Sequence, residues 1–182
     1  MEGYIVPIIL VVFIGGAFIW YISTMNRFAR LVVKITEADS GIDVALTKRY
    51  DTLTKMLDVT KAYAKHEAET LASLVKLRKG MAMEERSAAN RQMDEVEGRI
   101  NIMAEAYPEL RSSENFKELQ ETVAEVEEHL QAARRLYNMN VSMFNQLLVS
   151  WPSSIVGNMH NHTAKVFFEA DEKKKEDVKM AF

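Results

Sequence analysis

The chain has 182 residues, a mass of 20.8 kDa and a net charge of −3. Seven glycines and three prolines are too few turn formers for a many-stranded β sandwich or barrel, and the absence of cysteine excludes disulfides, thiolate metal sites, cysteine nucleophiles and cysteine-linked lipids. With 23 basic against 26 acidic side chains there is no basic surface of the kind that non-specific nucleic-acid binding needs.

Residues 4–22 read YIVPIILVVFIGGAFIWYI, 19 positions without a charge, which as a helix span about 28 Å and reach across a bilayer. Glu2 precedes the stretch where a signal peptide would carry basic residues, and no small-residue cleavage pattern follows, so residues 1–23 are expected to be a retained transmembrane anchor. Tyr4 at one end and Trp20 with Tyr21 at the other are placed for the headgroup belts, and Pro7 is expected in the first turn. Arg27, Arg30 and Lys34 follow the span. The positive-inside rule then predicts a single-pass protein with its N-terminus outside and its C-terminal domain cytoplasmic.

Residues 24–151 read as a bundle of long helices. No proline and one glycine, Gly41, occur between Ser23 and Lys79, so the first helix is expected to run from the membrane to Lys79 unbroken. Trp20, Leu31, Ile42, Leu53, Ala64 and Val75 recur every 11 residues, with Ile35, Leu46, Leu57 and Ala68 on the adjacent row, a period that keeps an apolar stripe nearly straight along a helix. Lys79-Gly80 marks a reversal. A second helix is predicted from Glu84 to Ala106, with Met93, Val96, Ile100, Met103 and Tyr107 as its apolar row, ended by Pro108. Ser112 and Ser113 offer caps for a third helix. Its heptads place Phe116, Val123, Leu130, Tyr137, Phe144 and Trp151 on one row and Leu119, Val126, Ala133, Asn140 and Leu147 on the other. Asn140, the polar member, is a register-setting candidate. Residues 152–182 read as a short amphipathic segment followed by a charged tail. The fold class is therefore all-α: a transmembrane helix continuing into an elongated antiparallel three-helix bundle with an amphipathic C-terminal segment.

Residues with catalytic or metal-binding potential are sparse. His160 and His162 have a metal-pair spacing but no further spaced ligands, and read as two exposed histidines. His66-Glu67 lacks the second histidine of the zinc-protease pattern, Thr70 standing in its place. Glu125, Glu127 and Glu128 read as a solvated helix face. No enzyme, cofactor, metal site or small-molecule substrate is expected.

Several strings are more specific. Ile42-Asp43-Val44, Lys48-Arg49-Tyr50-Asp51, Lys61-Ala62-Tyr63-Ala64-Lys65-His66-Glu67, Tyr107-Pro108-Glu109-Leu110 and Ser113-Glu114-Asn115-Phe116 come first, followed by Ala132-Ala133-Arg134-Arg135, Tyr137-Asn138, Phe144-Asn145, Trp151-Pro152 and Phe168-Glu169-Ala170. In that order and spacing they resemble the LemA family of bacterial membrane proteins, from about Asn26 onward. Two departures stand out: Asp39 where the family commonly has an aromatic residue, and Thr52-Leu53-Thr54-Lys55 in place of a stretch that usually contains Pro-Asn. The resemblance implies an N-terminal anchor, a short N-terminus outside and an elongated helical domain inside, and no particular reaction. It singles out Arg49, Tyr50, Asp51, Tyr63, Asn115, Phe116, Arg134, Arg135, Tyr137, Asn138, Phe144, Asn145 and Trp151 as packing or interaction candidates, to which the heptad seam adds Asn140. Asn138 and Asn145 beside the Tyr137 seam suit hydrogen bonds between helices, and Arg49 and Asp51 suit pairing with the third helix. The long first helix is expected to leave apolar rows that a short second helix cannot cover. A membrane-anchored scaffold that self-associates and organises or shapes the bilayer follows, its partners being lipid and further copies of itself. The alternative is an accessory subunit presenting its bundle to another membrane protein such as a protease.

Overall fold

The computed structural model describes residues 2–64 and 81–168, and within them the chain is all-α. Five helices follow one another: α1 (Glu2–Thr60), α2 (Met83–Ala106), α3 (Pro108–Ser112), α4 (Glu114–Val149) and α5 (Ser153–Met159). α1 is a single helix of 59 residues, unbroken through positions 23–30. Its first five turns are exposed, and they are apolar and long enough to cross a membrane. Pro7 falls inside the helix, past the first turn where it was expected.

α1 ends at Thr60, well short of the expected Lys79; residues 65–80, with Ala68 and Val75, lie outside the described residues. No glycine or proline stops it. Instead Ala62 and Tyr63 donate to the carbonyls of Val59 and Thr60, three residues back, and the Thr60 hydroxyl donates to the Met56 carbonyl. At Ala62 and Tyr63 the ladder thus tightens from four-residue to three-residue bonds, a stop that a search for breakers overlooks.

α2 starts one residue from its expected position, the Glu85 carboxylate accepting from the Ala82 N–H, and α3 takes Pro108 as its first residue. α4 ends at Val149, and a cis Trp151–Pro152 peptide leads into α5.

The chain divides into two compact units, one of Met1–Glu37 with Tyr137–Val166 and one of Ala38–Leu136 with Phe167–Phe182. In the second, Arg86 of α2 meets Asp39 and Asp43 of α1, whereas Arg49 meets Asn90, Asp94 and Glu97 farther along α2. α1 and α2 therefore run in the same direction. Gly41 faces Ala133 and Arg49 faces Glu127, and Gln120 bonds Asn101, so α4 runs antiparallel to both. Ile42, Leu46, Leu53, Met56, Met93, Val96, Ile100, Phe116, Val123, Val126 and Leu130 form the core. In the first unit α4 lies antiparallel to α1, Asn140 facing Lys34 and Phe144 facing Phe28, with α5 folded back so that Gly157 sits against Phe28 and Leu148.

Both 11-residue rows of α1 are buried from Leu31 to Ala64. The expectation of uncovered rows is thus corrected: α1 is shorter than expected, and the 36 residues of α4 run alongside it as well as α2. The heptad row of α4 is buried from Phe116 to Phe144, but Trp151 is 82% exposed because the helix stops at Val149, before the row reaches it.

Candidate functional site

The polar residues of the described structure gather in two constellations. The first is built on Arg49, which lies on α1 beside Leu46 and Leu53 and is 2% exposed. A cation placed in an apolar seam has to bring its counter-charges with it. Asn90, Asp94 and Glu97 supply contacts from α2, at spacings that put them on one helix face, and Glu127 supplies one from α4. Arg49 donates to Asn90 Oδ1 and to Glu97 Oε2, both at 2.7 Å, with Asp94 Oδ1 at 2.6 Å and Glu127 Oε2 at 3.1 Å as ion-pair partners. Burial alone would push the guanidinium down, but Asp94, Glu97 and Glu127 outweigh it and hold its pKa above the ordinary value. A second, smaller clamp joins Arg86 to Asp39 and Asp43 at 2.9 and 2.8 Å, and these carboxylates likewise outweigh partial burial and raise the Arg86 pKa.

The second constellation holds residues 160–168 against α4. Asn145 donates to the Lys165 carbonyl and accepts from the Lys165 N–H, at 2.9 and 2.8 Å, so one side-chain amide stands in for a neighbouring peptide. The Tyr137 hydroxyl donates to the Val166 carbonyl at 3.0 Å. Farther on, Phe168 is buried with the Arg134 guanidinium 4.9 Å from its ring centre. Toward α5, His162 stacks on Phe28 at 4.8 Å and meets Phe144 edge-on, while His160 shares a 3.0 Å hydrogen bond with the Tyr21 hydroxyl. Desolvation first, then the nearby His160 and Lys165, hold the His162 pKa below its ordinary value.

These placements correct several expectations. Tyr137 and Asn145 bind the returning chain, because that segment lies on the flank of α4 where a second helix was expected. Glu127 is half-buried on Arg49, and His162 is part of an aromatic stack instead of an exposed face. Arg49 pairs mainly with α2, and Asp51 is exposed. Phe116 and Phe144 are core residues, and Asn140 is buried with its amide 3.5 Å from the Lys34 carbonyl, a weak contact for a register-setter. Tyr50 and Asn138 are half-buried; Tyr63, Asn115 and Arg135 are exposed. Asn90, Asp94, Glu97 and Arg86 were not singled out from sequence. Their signal was an edge of polar residues at 90, 94 and 97 running beside the apolar row of α2. Asp39, which departs from the family pattern, is a partner of Arg86.

The LemA family profile matches residues 38–182, a span that includes both arginine clamps and the returning segment. The chain belongs to the LemA family. It is also similar to Protein LemA of Metamycoplasma hominis, with 25% identity over 183 residues covering 98% of this chain and 84% of that protein. In this LemA-family chain, family-like strings coincide with internal contacts: Arg49 within the bundle, Arg134 over Phe168, and Tyr137 and Asn145 on the returning segment.

Proposed function

We propose that this LemA-family chain is a membrane-anchored structural protein, with its anchor spanning a bacterial inner membrane, its N-terminus outside and its helical domain cytoplasmic, where it self-associates as a scaffold. The observation that carries the reading is how the polar motif residues are used. Arg49, Arg134, Tyr137 and Asn145 each engage another part of the same chain, and none lines a cleft with convergent polar groups of the kind chemistry needs. Among its exposed side chains are two apolar surfaces: the anchor, and on α4 Leu136, Met139 and Met143, spaced along one helix face. Exposed apolar stripes of that kind favour association, and anchoring confines neighbours to a plane, which raises their effective concentration. Self-association thus rests on this stripe of α4 and no longer on uncovered rows of α1.

The cysteine-free sequence makes the test direct. A single cysteine at Met139 in the full chain is expected to give homotypic disulfide or bifunctional cross-links in native membranes, and Met139→Asp to weaken association probed from another position. A dominant heterologous band in their place would favour the accessory-subunit reading. A full-length protein that is monomeric by mass at micromolar concentration, without homotypic cross-links in membranes, would end the scaffold reading.

A further inference from the structure

The unit containing the membrane helix presents a groove of about 500 Å³ at the point where α1 leaves its charge-free stretch. Trp20, Ser23 and Arg27 line it from α1, and Gln146 and Trp151 from the end of α4. Depth along α1 is set by helix rise: Ser23 lies about 4.5 Å beyond Trp20, within a headgroup layer about 5–7.5 Å thick, and Arg27 about 10 Å beyond it, just outside that layer and within side-chain reach of it. Arg27 is exposed and forms no ion pair with any described residue. Beside the groove, the Tyr21–His160 hydrogen bond ties the residue just after α5 to the aromatic end of the span.

The corner between α4 and α5 is unusually apolar for a surface. Trp151, Ile155 and Met159 are all exposed, whereas Val156 and Gly157 of the same short helix turn inward against Phe28 and Leu148. A short helix with one face packed and the other aliphatic, ending at the level of an aromatic belt, has the form of an interfacial element. A guanidinium beside a serine hydroxyl, flanked by two indoles, matches a phosphodiester: a planar fork for its oxygens, and ring faces and indole N–H groups for the glycerol and carbonyl region.

We propose that this groove seats the headgroup of an anionic phospholipid, with Arg27 on the phosphate and Trp151, Ile155 and Met159 resting at the acyl boundary. The proposal rests on the membrane-anchored reading. It adds a second attachment of the chain to the bilayer, made by the end of α4 and by α5. The occupant is lipid and not a second copy, because the corner that carries the exposed residues is bonded to the end of the span itself.

Trp20 and Trp151 are the two tryptophans of the chain, so Trp20→Phe in the full-length protein leaves Trp151 as its own reporter. The variant is reconstituted into phosphatidylcholine vesicles containing, at equal mole fraction, either phosphatidylcholine or phosphatidylglycerol brominated near the top of the acyl chain. Blue-shifted Trp151 emission is expected, quenched by brominated lipid and shielded from aqueous iodide. Brominated phosphatidylglycerol should be enriched about fivefold over phosphatidylcholine, the factor for about 1 kcal/mol from one cationic side chain at an anionic surface, with the preference lost in Arg27→Gln. Water-like emission quenched by iodide and by neither lipid overturns the proposal. Equal quenching by the two lipids overturns the choice of an anionic headgroup. Shielding from both quenchers that disappears on dilution assigns the corner to a second copy and also overturns it. Alkaline extraction of the same vesicles separates the two levels: a protein that stays with the lipid while Trp151 faces water loses only the groove, whereas one that is extracted loses the anchored reading and the groove with it.

Discussion

Replacing Arg49 by methionine keeps most of the volume and removes the charge, so it isolates the electrostatic part of the bundle. The guanidinium is almost fully buried, while Asp94, Glu97 and Glu127 keep 20, 29 and 19% of their side-chain surface in contact with solvent. Breaking a buried ion pair by deleting one partner costs about 3–5 kcal/mol, because the charge left behind is stranded in a low dielectric. Three stranded carboxylates repel one another as well, but their partial exposure argues for the lower end, about 3 kcal/mol. For a chain of this length that is a drop of about 6–12 °C in Tm, a large part of the stability of an ordinary domain. The assay is loss of far-UV helicity with temperature and with denaturant for the full chain in detergent. Arg49→Lys keeps a charge but replaces a fork that reaches four partners with a single ammonium, and should lose about half as much. Combining Arg49→Met with Asp94→Asn, Glu97→Gln and Glu127→Gln should restore most of the stability, since a cluster with no charge has nothing to strand. A loss below about 1 kcal/mol for Arg49→Met, or a fourfold variant no better than the single one, would show that the cluster does not hold the bundle in the way its geometry indicates.

Three further measurements test the returning segment and the surface of α5. The His162 pKa is lowered in the fold by desolvation and by the facing His160 and Lys165, so between that lowered value and the ordinary one near 6.5 the unfolded chain binds more protons than the folded chain. The contribution is complete above the ordinary value and lost as pH falls from there through the lowered value, so the protection factors of amides across residues 160–166, taken against the intrinsic exchange rate at each pH, should fall on acidification from neutral pH, and His162→Phe should flatten the profile. Asn145→Leu removes two hydrogen bonds worth about 1 kcal/mol each and should raise opening of residues 160–168, read by proteolysis or hydrogen exchange, by about thirtyfold with the rest of α4 unaffected. A methyl group added at Gly157 would lie 2.7 Å from Leu148 Cδ1 and 3.2 Å from Phe28 Cζ, so Gly157→Val should cost about 1–3 kcal/mol by overpacking, visible as a lower Tm.

What could be read from the sequence was whatever depends on spacing along one helix. The 11-residue rows, the apolar row of α2 and the seam from Phe116 to Phe144 are periodic in residue number, and periodicity survives without knowledge of partners. The end of α1 is different. Val59-Thr60 carries no breaker, and the helix closes where its ladder tightens by one residue, which no residue type there announces. The direction of α2 is different again, because it depends on which carboxylates Arg86 and Arg49 meet, and carboxylates occur along α1, α2 and α4 alike. The returning segment was least legible. Tyr137 and Asn145 hold main-chain atoms of Lys165 and Val166, and a main-chain acceptor leaves no mark on the identity of the residue that supplies it.

The two arginine clamps have a further consequence for register. Aliphatic rows hold helices together without deciding how far one is slid along another: Ile42 and Leu53, or Leu46 and Leu57, are interchangeable as knobs, so a displaced α4 could bury nearly the same area. A buried guanidinium is not interchangeable. Displacing α4 by one turn, about 5.4 Å, would take Glu127 away from Arg49 and put neutral or apolar side chains there, at the cost of an underpaired buried cation. Arg49 is therefore expected to select one register from several of similar apolar burial, as a buried polar residue does in a coiled coil. The position of Gly41 supplies the readout. A Cβ built there lies 3.7 Å from the Ala133 Cβ, inside the window for a disulfide, and a one-turn slip would move the pair out of it. In a chain with no other cysteine, Gly41→Cys with Ala133→Cys should oxidise nearly to completion in the native protein. Introduced into the fourfold variant with the Arg49 cluster neutralised, the same pair should close only in part, even though stability is recovered. If it closes equally well there, the aliphatic rows alone determine the register and Arg49 contributes cohesion but no selection.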